Sequence, residues 1–107
     1  MEYESIDPAR FLELLESGSL KEAVVLDVRE PIEWDYYHLE EPTLLPMQQI
    51  PEKLQELPRE KPIYILCAHG VRSEMVSRYL AGNGFPEVVN VEGGMAALAA
   101  LRGFAYD

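Results

Sequence analysis

The chain alternates between short, mostly apolar runs and longer segments in which apolar residues recur every three or four positions. The short runs predict strands at 3–6, 23–26, Ile63–Leu66 and Val88–Val91. Continuous apolar runs of this length are typical of the buried strands of a parallel sheet. The longer segments have the spacing of amphipathic helices.

The first helical segment has clear ends. Asp7 suits an N-cap, Pro8 suits the first helical position, and Gly18 is a natural stop. Three further helical segments follow it, and they are 51–57, 73–82 and 95–101. The apolar residues that we expect to face the core are Phe11, Leu12, Leu14, Leu15, Leu54, Leu57, Met75, Val76, Tyr79 and Leu80. Strands that alternate with helices predict one α/β domain over residues 1–107, with a small parallel sheet of about five strands and helices on both faces.

Composition and charge restrict the function classes. The formal net charge of −10 argues against binding to nucleic acid or to anionic membrane surfaces, which attract basic patches. It permits a basic protein partner. No apolar run approaches the roughly 20 residues of a membrane span, and no signal segment is visible. The single cysteine cannot form an internal disulfide, which predicts a cytoplasmic protein.

That cysteine, Cys67, directly follows the predicted strand Ile63–Leu66 and precedes a predicted helix. Ligands of open α/β sheets bind at this end of the strands. Three features would favour a thiolate over a thiol at Cys67. They are the backbone N–H groups of a helix start, a loop in which Gly70 permits a positive φ, and the charge of Arg72. Cys67 is therefore the candidate nucleophile.

The pattern Cys67-x-x-Gly70-x-Arg72-Ser73 resembles the active-site loop of the rhodanese-like sulfurtransferases. Cysteine-dependent phosphatases have a similar loop with five residues between the Cys and the Arg, whereas this chain has four. The shorter loop suits one extra sulfur atom better than a tetrahedral phosphoryl group.

Other segments extend the resemblance, and one departs from it. Asp27-Val28-Arg29-Glu30 is similar to the family's signature after its second strand. We expect Asp27 to brace the structure, and Arg29 either to face the mouth of the site or to pair with a nearby glutamate. The segment 37–46 lacks both glycines of the family's pattern, which leaves substrate preference open. His38 within it is expected to be structural.

The resemblance implies a sulfurtransferase that moves a sulfur atom from thiosulfate or a persulfide, a small anionic donor, to cyanide or a thiol. Cys67 would carry the sulfur as a persulfide. No cofactor and no metal are implied, and a thiol-bearing protein is a possible partner. The residues implied to bind substrate, chiefly through loop N–H groups, are Ala68, His69, Gly70, Val71, Arg72 and Ser73. Arg72 is expected both to hold the loop and to bind the donor, and His69 either lines the mouth or is merely exposed.

Three alternatives stay open. A docking module could use this fold without catalysis, although it would not need Cys67 in a nest of N–H donors. A phosphatase or arsenate reductase is disfavoured by the loop length. A redox sensor could oxidise the thiol reversibly, but with one cysteine only an external thiol could reduce it again.

Overall fold

A computed structural model describes residues 2–106 and shows five parallel strands in one sheet. The strands are Glu4–Ile6 (β1), Val24–Asp27 (β2), Thr43–Leu44 (β3), Ile63–Leu66 (β4) and Val88–Val91 (β5). Their order across the sheet is β1-β5-β4-β2-β3. The predicted fold class is therefore confirmed, although β3, which has only two residues and no apolar run, was not predicted.

Within the described residues, four α-helices connect the strands and a fifth follows β5. They are Pro8–Glu16 (α1), Pro31–Tyr36 (α2), Ile50–Lys53 (α3), Val71–Gly82 (α4) and Gly94–Leu101 (α5). The cap predicted for α1 is confirmed, since the Asp7 carboxylate accepts hydrogen bonds from the N–H groups of Ala9 and Arg10 at 3.0 and 3.2 Å. No helix within residues 2–106 has the length and apolar character needed to cross a membrane.

Two hydrophobic cores cover the two faces of the sheet, because successive strand residues point to opposite sides. In β4, Leu66 belongs to the core beneath α1 and α5, whereas Ile65 belongs to the core beneath α3 and α4. Cys67 lies in the second core and is 1% exposed. The site therefore rests on a packed scaffold on both sides of the sheet.

Two predicted helices differ from the structure. The helix over 51–57 is shorter, because one α-helical turn (α3) is flanked by 3₁₀ turns at Met47–Gln49 and Leu54–Glu56. In α4, Val76 and Leu80 are buried as predicted, but Met75 and Tyr79 are 52% and 40% exposed. The buried stripe of the helix is shifted from the predicted one, because Ser73, Ser77 and Ala81 are buried together with Val76 and Leu80.

The start of α4 was also placed too late. The helix begins at Val71, and its N-cap is Gly70, which has φ = 103°. Glycine adopts this left-handed conformation without the steric cost that a side chain brings. Ser73, the first residue of the predicted segment 73–82, lies within the first turn and is fully buried.

Candidate active site

The carboxyl end of β4 positions the candidate nucleophile. Cys67 follows β4 directly, and the register of the sheet places Leu66 beside Asp27 of β2. On the other side, Ile65 pairs with Asn90 of β5. The ends of three strands therefore bring their side chains to the same edge of the sheet as the cysteine.

The Cys67 sulfur accepts two backbone hydrogen bonds from its own loop. The N–H of Gly70 lies 3.1 Å from Sγ, and the N–H of Ser73 lies 3.3 Å from it. Both donors stand at the start of α4, where the helix dipole is positive. Two oriented N–H groups and a helix start favour negative charge on this sulfur.

The Ser73 hydroxyl provides a third contact and connects the sulfur to β5. Ser73 Oγ lies 3.5 Å from Cys67 Sγ and 2.6 Å from Asn90 Oδ1. The one hydroxyl proton can donate to the Asn90 oxygen while the hydroxyl oxygen accepts from the thiol. No role was predicted for Asn90. Its signal was a polar residue in an otherwise apolar strand, and it is 2% exposed.

The start of α5 holds the other side of the loop. The N–H of Met95 donates to the Cys67 carbonyl at 2.7 Å, and the N–H of Ala96 donates to the Ala68 carbonyl at 3.0 Å. A Cβ atom on Gly94 would lie 2.5 Å from the Cys67 carbonyl oxygen. Because only glycine permits this approach, the Gly-Gly turn before α5 fixes the backbone that carries the cysteine.

Arg72 points to a carboxylate. Its Nη1 and Nη2 donate to the two carboxylate oxygens of Glu33 on α2, at 2.8 and 2.7 Å. The hydrogen bond from Arg72 lowers the pKa of Glu33 to about 2, and the same bond raises the pKa of Arg72. Of the two roles expected for Arg72, the geometry shows the one that holds the loop. No role was predicted for Glu33.

Neither position predicted for Arg29 is correct. Its guanidinium is fully buried and pairs with the buried carboxylate of Asp27, with Nη2 2.7 Å from Oδ2. The remaining N–H groups donate to the Tyr106 hydroxyl and to the carbonyls of Glu33 and Tyr37. A buried guanidinium needs an acceptor for each donor, and these groups supply them. Burial opposes the charge, but the hydrogen bonds to Asp27 and Tyr106 and the charges of those groups together outweigh it, so the pKa of Arg29 is raised.

The other predicted loop residues have different surroundings. Ala68 is buried, His69 is exposed with its ring 6.1 Å from the Tyr106 ring, and Val71 is 70% exposed. A cavity of about 240 Å³ adjoins the loop. Its lining includes His69, Gly70, Val71, Glu74, Asn90 and Glu92.

His38 is structural, as expected. Its ring stacks on Trp34 with 3.9 Å between the ring centroids, and Nδ1 lies 2.7 Å from the Trp34 carbonyl oxygen. Within residues 2–106, no three His, Cys, Asp or Glu side chains are grouped so that they could hold a metal ion.

Comparisons with known proteins agree with this geometry. The model of the rhodanese-like domain family matches residues 7–101. The chain is 33% identical over 93 residues to the thiosulfate sulfurtransferase GlpE of Pseudomonas syringae, and the alignment covers 87% of this chain and 84% of the relative. A rhodanese-like domain protein from Staphylococcus aureus has a similar solved structure, with a TM-score of 0.79, 37% identity, and 89% and 90% of the two chains covered. A rhodanese-related protein from Thermoplasma volcanium has a TM-score of 0.80 and 33% identity, with 95% of each chain covered.

Proposed function

Because the chain belongs to the rhodanese-like domain family, we propose that it is a sulfurtransferase whose nucleophile is Cys67. The observation that carries the proposal is the convergence of two backbone N–H groups and a helix start on the Cys67 sulfur. This arrangement would stabilise a negative charge on the Cys67 sulfur. Residues 1–107 would act as one catalytic domain.

The reaction would proceed in two displacements. The Cys67 thiolate attacks the outer sulfur of thiosulfate, the S–S bond of the donor breaks, and sulfite leaves with the bonding electron pair. Cys67 then carries a persulfide. An acceptor, cyanide or a thiolate, attacks the outer sulfur of that persulfide and restores the Cys67 thiolate. The sulfane sulfur passes from donor to acceptor without net oxidation of the protein.

The loop backbone would stabilise the charged sulfur in both steps. The N–H groups of Gly70 and Ser73 are fixed before the reaction, so they stabilise charge at little reorganisation cost. Arg72 would act indirectly, because both of its terminal nitrogens are engaged by Glu33. Its role in this proposal is to hold the start of α4 in position.

The location and partner remain predictions. A single thiol that must stay reduced suits the cytoplasm. The physiological acceptor would be a small thiol or a protein thiol, and the net charge of −10 favours a basic protein partner.

Intact-mass measurement tests the proposal. Incubation with excess thiosulfate should add one sulfur atom to the protein, and subsequent cyanide should remove it and release an equal amount of thiocyanate. Cys67→Ser, which keeps the size of the side chain but cannot form a persulfide, should show neither step. An unchanged wild-type mass, or a gain of oxygen alone, would favour the docking or redox-sensor alternative. A parallel phosphate-ester assay should show no hydrolysis faster than sulfur transfer.

A further inference from the structure

The two arginines described at the site are both neutralised by carboxylates. Arg72 is bound through both terminal nitrogens to Glu33, and Arg29 is fully buried against Asp27. A dianion such as thiosulfate would therefore meet the backbone N–H groups of the loop without an uncompensated guanidinium beside them. The charges that remain near the loop decide which donor is attracted.

Those remaining charges are negative. The residues that line the cavity beside the loop include Glu74 and Glu92, and no lysine or arginine is among the described residues that line it. The cavity adjoins the site, because its lining includes Gly70, whose N–H donates to the Cys67 sulfur, and Asn90, which binds the Ser73 hydroxyl. A donor that approaches the loop from this side meets two acidic residues.

We propose that the preferred sulfur donor is a persulfide that carries an ammonium or guanidinium group, such as an amino thiol persulfide or a persulfide next to a basic residue in a peptide. This inference rests on the proposed sulfurtransferase function and names its substrate class. The positive group would lie in the cavity near Glu74 and Glu92 while the outer sulfur meets Cys67.

The chemical step is the same displacement with a different leaving group. The Cys67 thiolate attacks the outer sulfur of the donor R–S–SH, the bond between the two donor sulfurs breaks, and the thiolate R–S⁻ leaves and takes up a proton. Cys67 becomes the persulfide, and no oxidant or reductant is consumed. Thiosulfate would still react, but more slowly, since its charge opposes that of the cavity.

Three persulfides of similar size test the preference. The persulfides of cysteamine, 2-mercaptoethanol and 3-mercaptopropionate differ by one unit of charge from each to the next. The measurement is the second-order rate constant for loading of Cys67, obtained by quenching samples over time and measuring their intact mass, with all three donors at the same pH. At low ionic strength we expect the rate constant to fall about fivefold with each added negative charge. Because exposed charges are screened over ~10 Å at 0.1 M salt, the gradient should shrink as salt is added.

Two variants assign the gradient to the cavity. In the double variant Glu74→Gln/Glu92→Gln, the rate constants should differ by less than about twofold per unit of donor charge. Glu60→Gln/Glu87→Gln is the matched control, because these exposed residues precede β4 and β5 at the opposite edge of the sheet. It removes the same two negative charges and should leave the gradient intact.

The outcomes separate this inference from the function on which it rests. Equal rate constants for the three donors, a gradient unaffected by salt, or a gradient that survives in the double variant would each overturn the charge preference while sulfur transfer stands. If no donor loads Cys67, the proposed function itself is wrong and the preference falls with it.

Discussion

Two arginine–carboxylate pairs lie near the candidate nucleophile, and they differ in burial. Asp27 and Arg29 are both 0% exposed, whereas the side chains of Glu33 and Arg72 are 28% and 29% exposed. The first pair joins residues two positions apart at the end of β2. The second joins α2 to α4 across 39 positions of sequence.

The two pairs meet at Glu33. Arg29 Nη1 donates to the Glu33 backbone carbonyl at 3.2 Å, and Arg72 binds the Glu33 side chain. The buried pair Asp27–Arg29 thus fixes the backbone of Glu33. The half-exposed pair Glu33–Arg72 in turn fixes the first turn of α4. The Ser73 N–H, adjacent to Arg72, donates to the sulfur. The fully buried pair Asp27–Arg29 therefore holds the scaffold, whereas the more exposed pair Glu33–Arg72 orients the loop.

Asp27→Asn should have the largest effect on stability. The substitution keeps the size of the side chain but leaves the Arg29 charge buried without its counter-ion. Breaking one partner of a buried pair costs about 3–5 kcal/mol in the free energy of unfolding. Urea denaturation of the wild type and the variant measures this difference.

Glu33→Gln is the comparison for that experiment, because it breaks the half-exposed pair in the same way. Its cost should be about 1 kcal/mol, since water screens and solvates the Arg72 charge that remains. Equal losses in the two variants would contradict the division into a scaffold pair and a loop pair.

Arg72→Lys should affect sulfur transfer more than stability. Lysine keeps the charge, but a single ammonium cannot reproduce the two parallel hydrogen bonds to Glu33. We expect the rate of Cys67 loading to fall about tenfold, which corresponds to about 1.4 kcal/mol in the barrier. The control is Arg78→Lys on the same helix, whose guanidinium lies over the Tyr3 ring. Unchanged loading in Arg72→Lys would show that the pair does not position the loop.

The fold could be predicted from the sequence because its signals are local. Continuous apolar runs mark 23–26 and Ile63–Leu66, and the cap at Asp7 needs only its neighbours. The two-residue strand Thr43–Leu44 was missed because its sequence has no strand pattern of its own. Only its pairing with β2 defines it. Cys67 could be located because it directly follows a buried strand.

The partners within the site could not be predicted, because they come from distant positions. Asn90 reaches Ser73 from 17 positions away, and Glu33 reaches Arg72 from 39. Arg29 was misplaced for a related reason. A charged residue in a loop signature is normally exposed, and only the packed structure shows that it is surrounded by acceptors.

The half-exposed pair Glu33–Arg72 should make the free energy of unfolding depend on pH, and this is the smallest of the expected effects. The Arg72 hydrogen bond lowers the pKa of Glu33 from 4.5 to about 2. Because the folded-state pKa is depressed, the folded state binds fewer protons than the unfolded state in this range. The contribution of the pair is then fully present above about pH 4.5, and it is lost as the pH falls to about 2. The free energy of unfolding of the wild type minus that of Glu33→Gln should be constant above pH 5 and shrink below it, by at most about 1.4 kcal/mol per pH unit. Partial exposure and added salt should both reduce that slope.

NMR titration of the Glu33 carboxyl carbon provides a direct check, since Arg72→Lys should move its midpoint upward. A difference that stays flat down to pH 2, or a midpoint that does not move, would show that Arg72 does not hold the Glu33 charge in the folded protein.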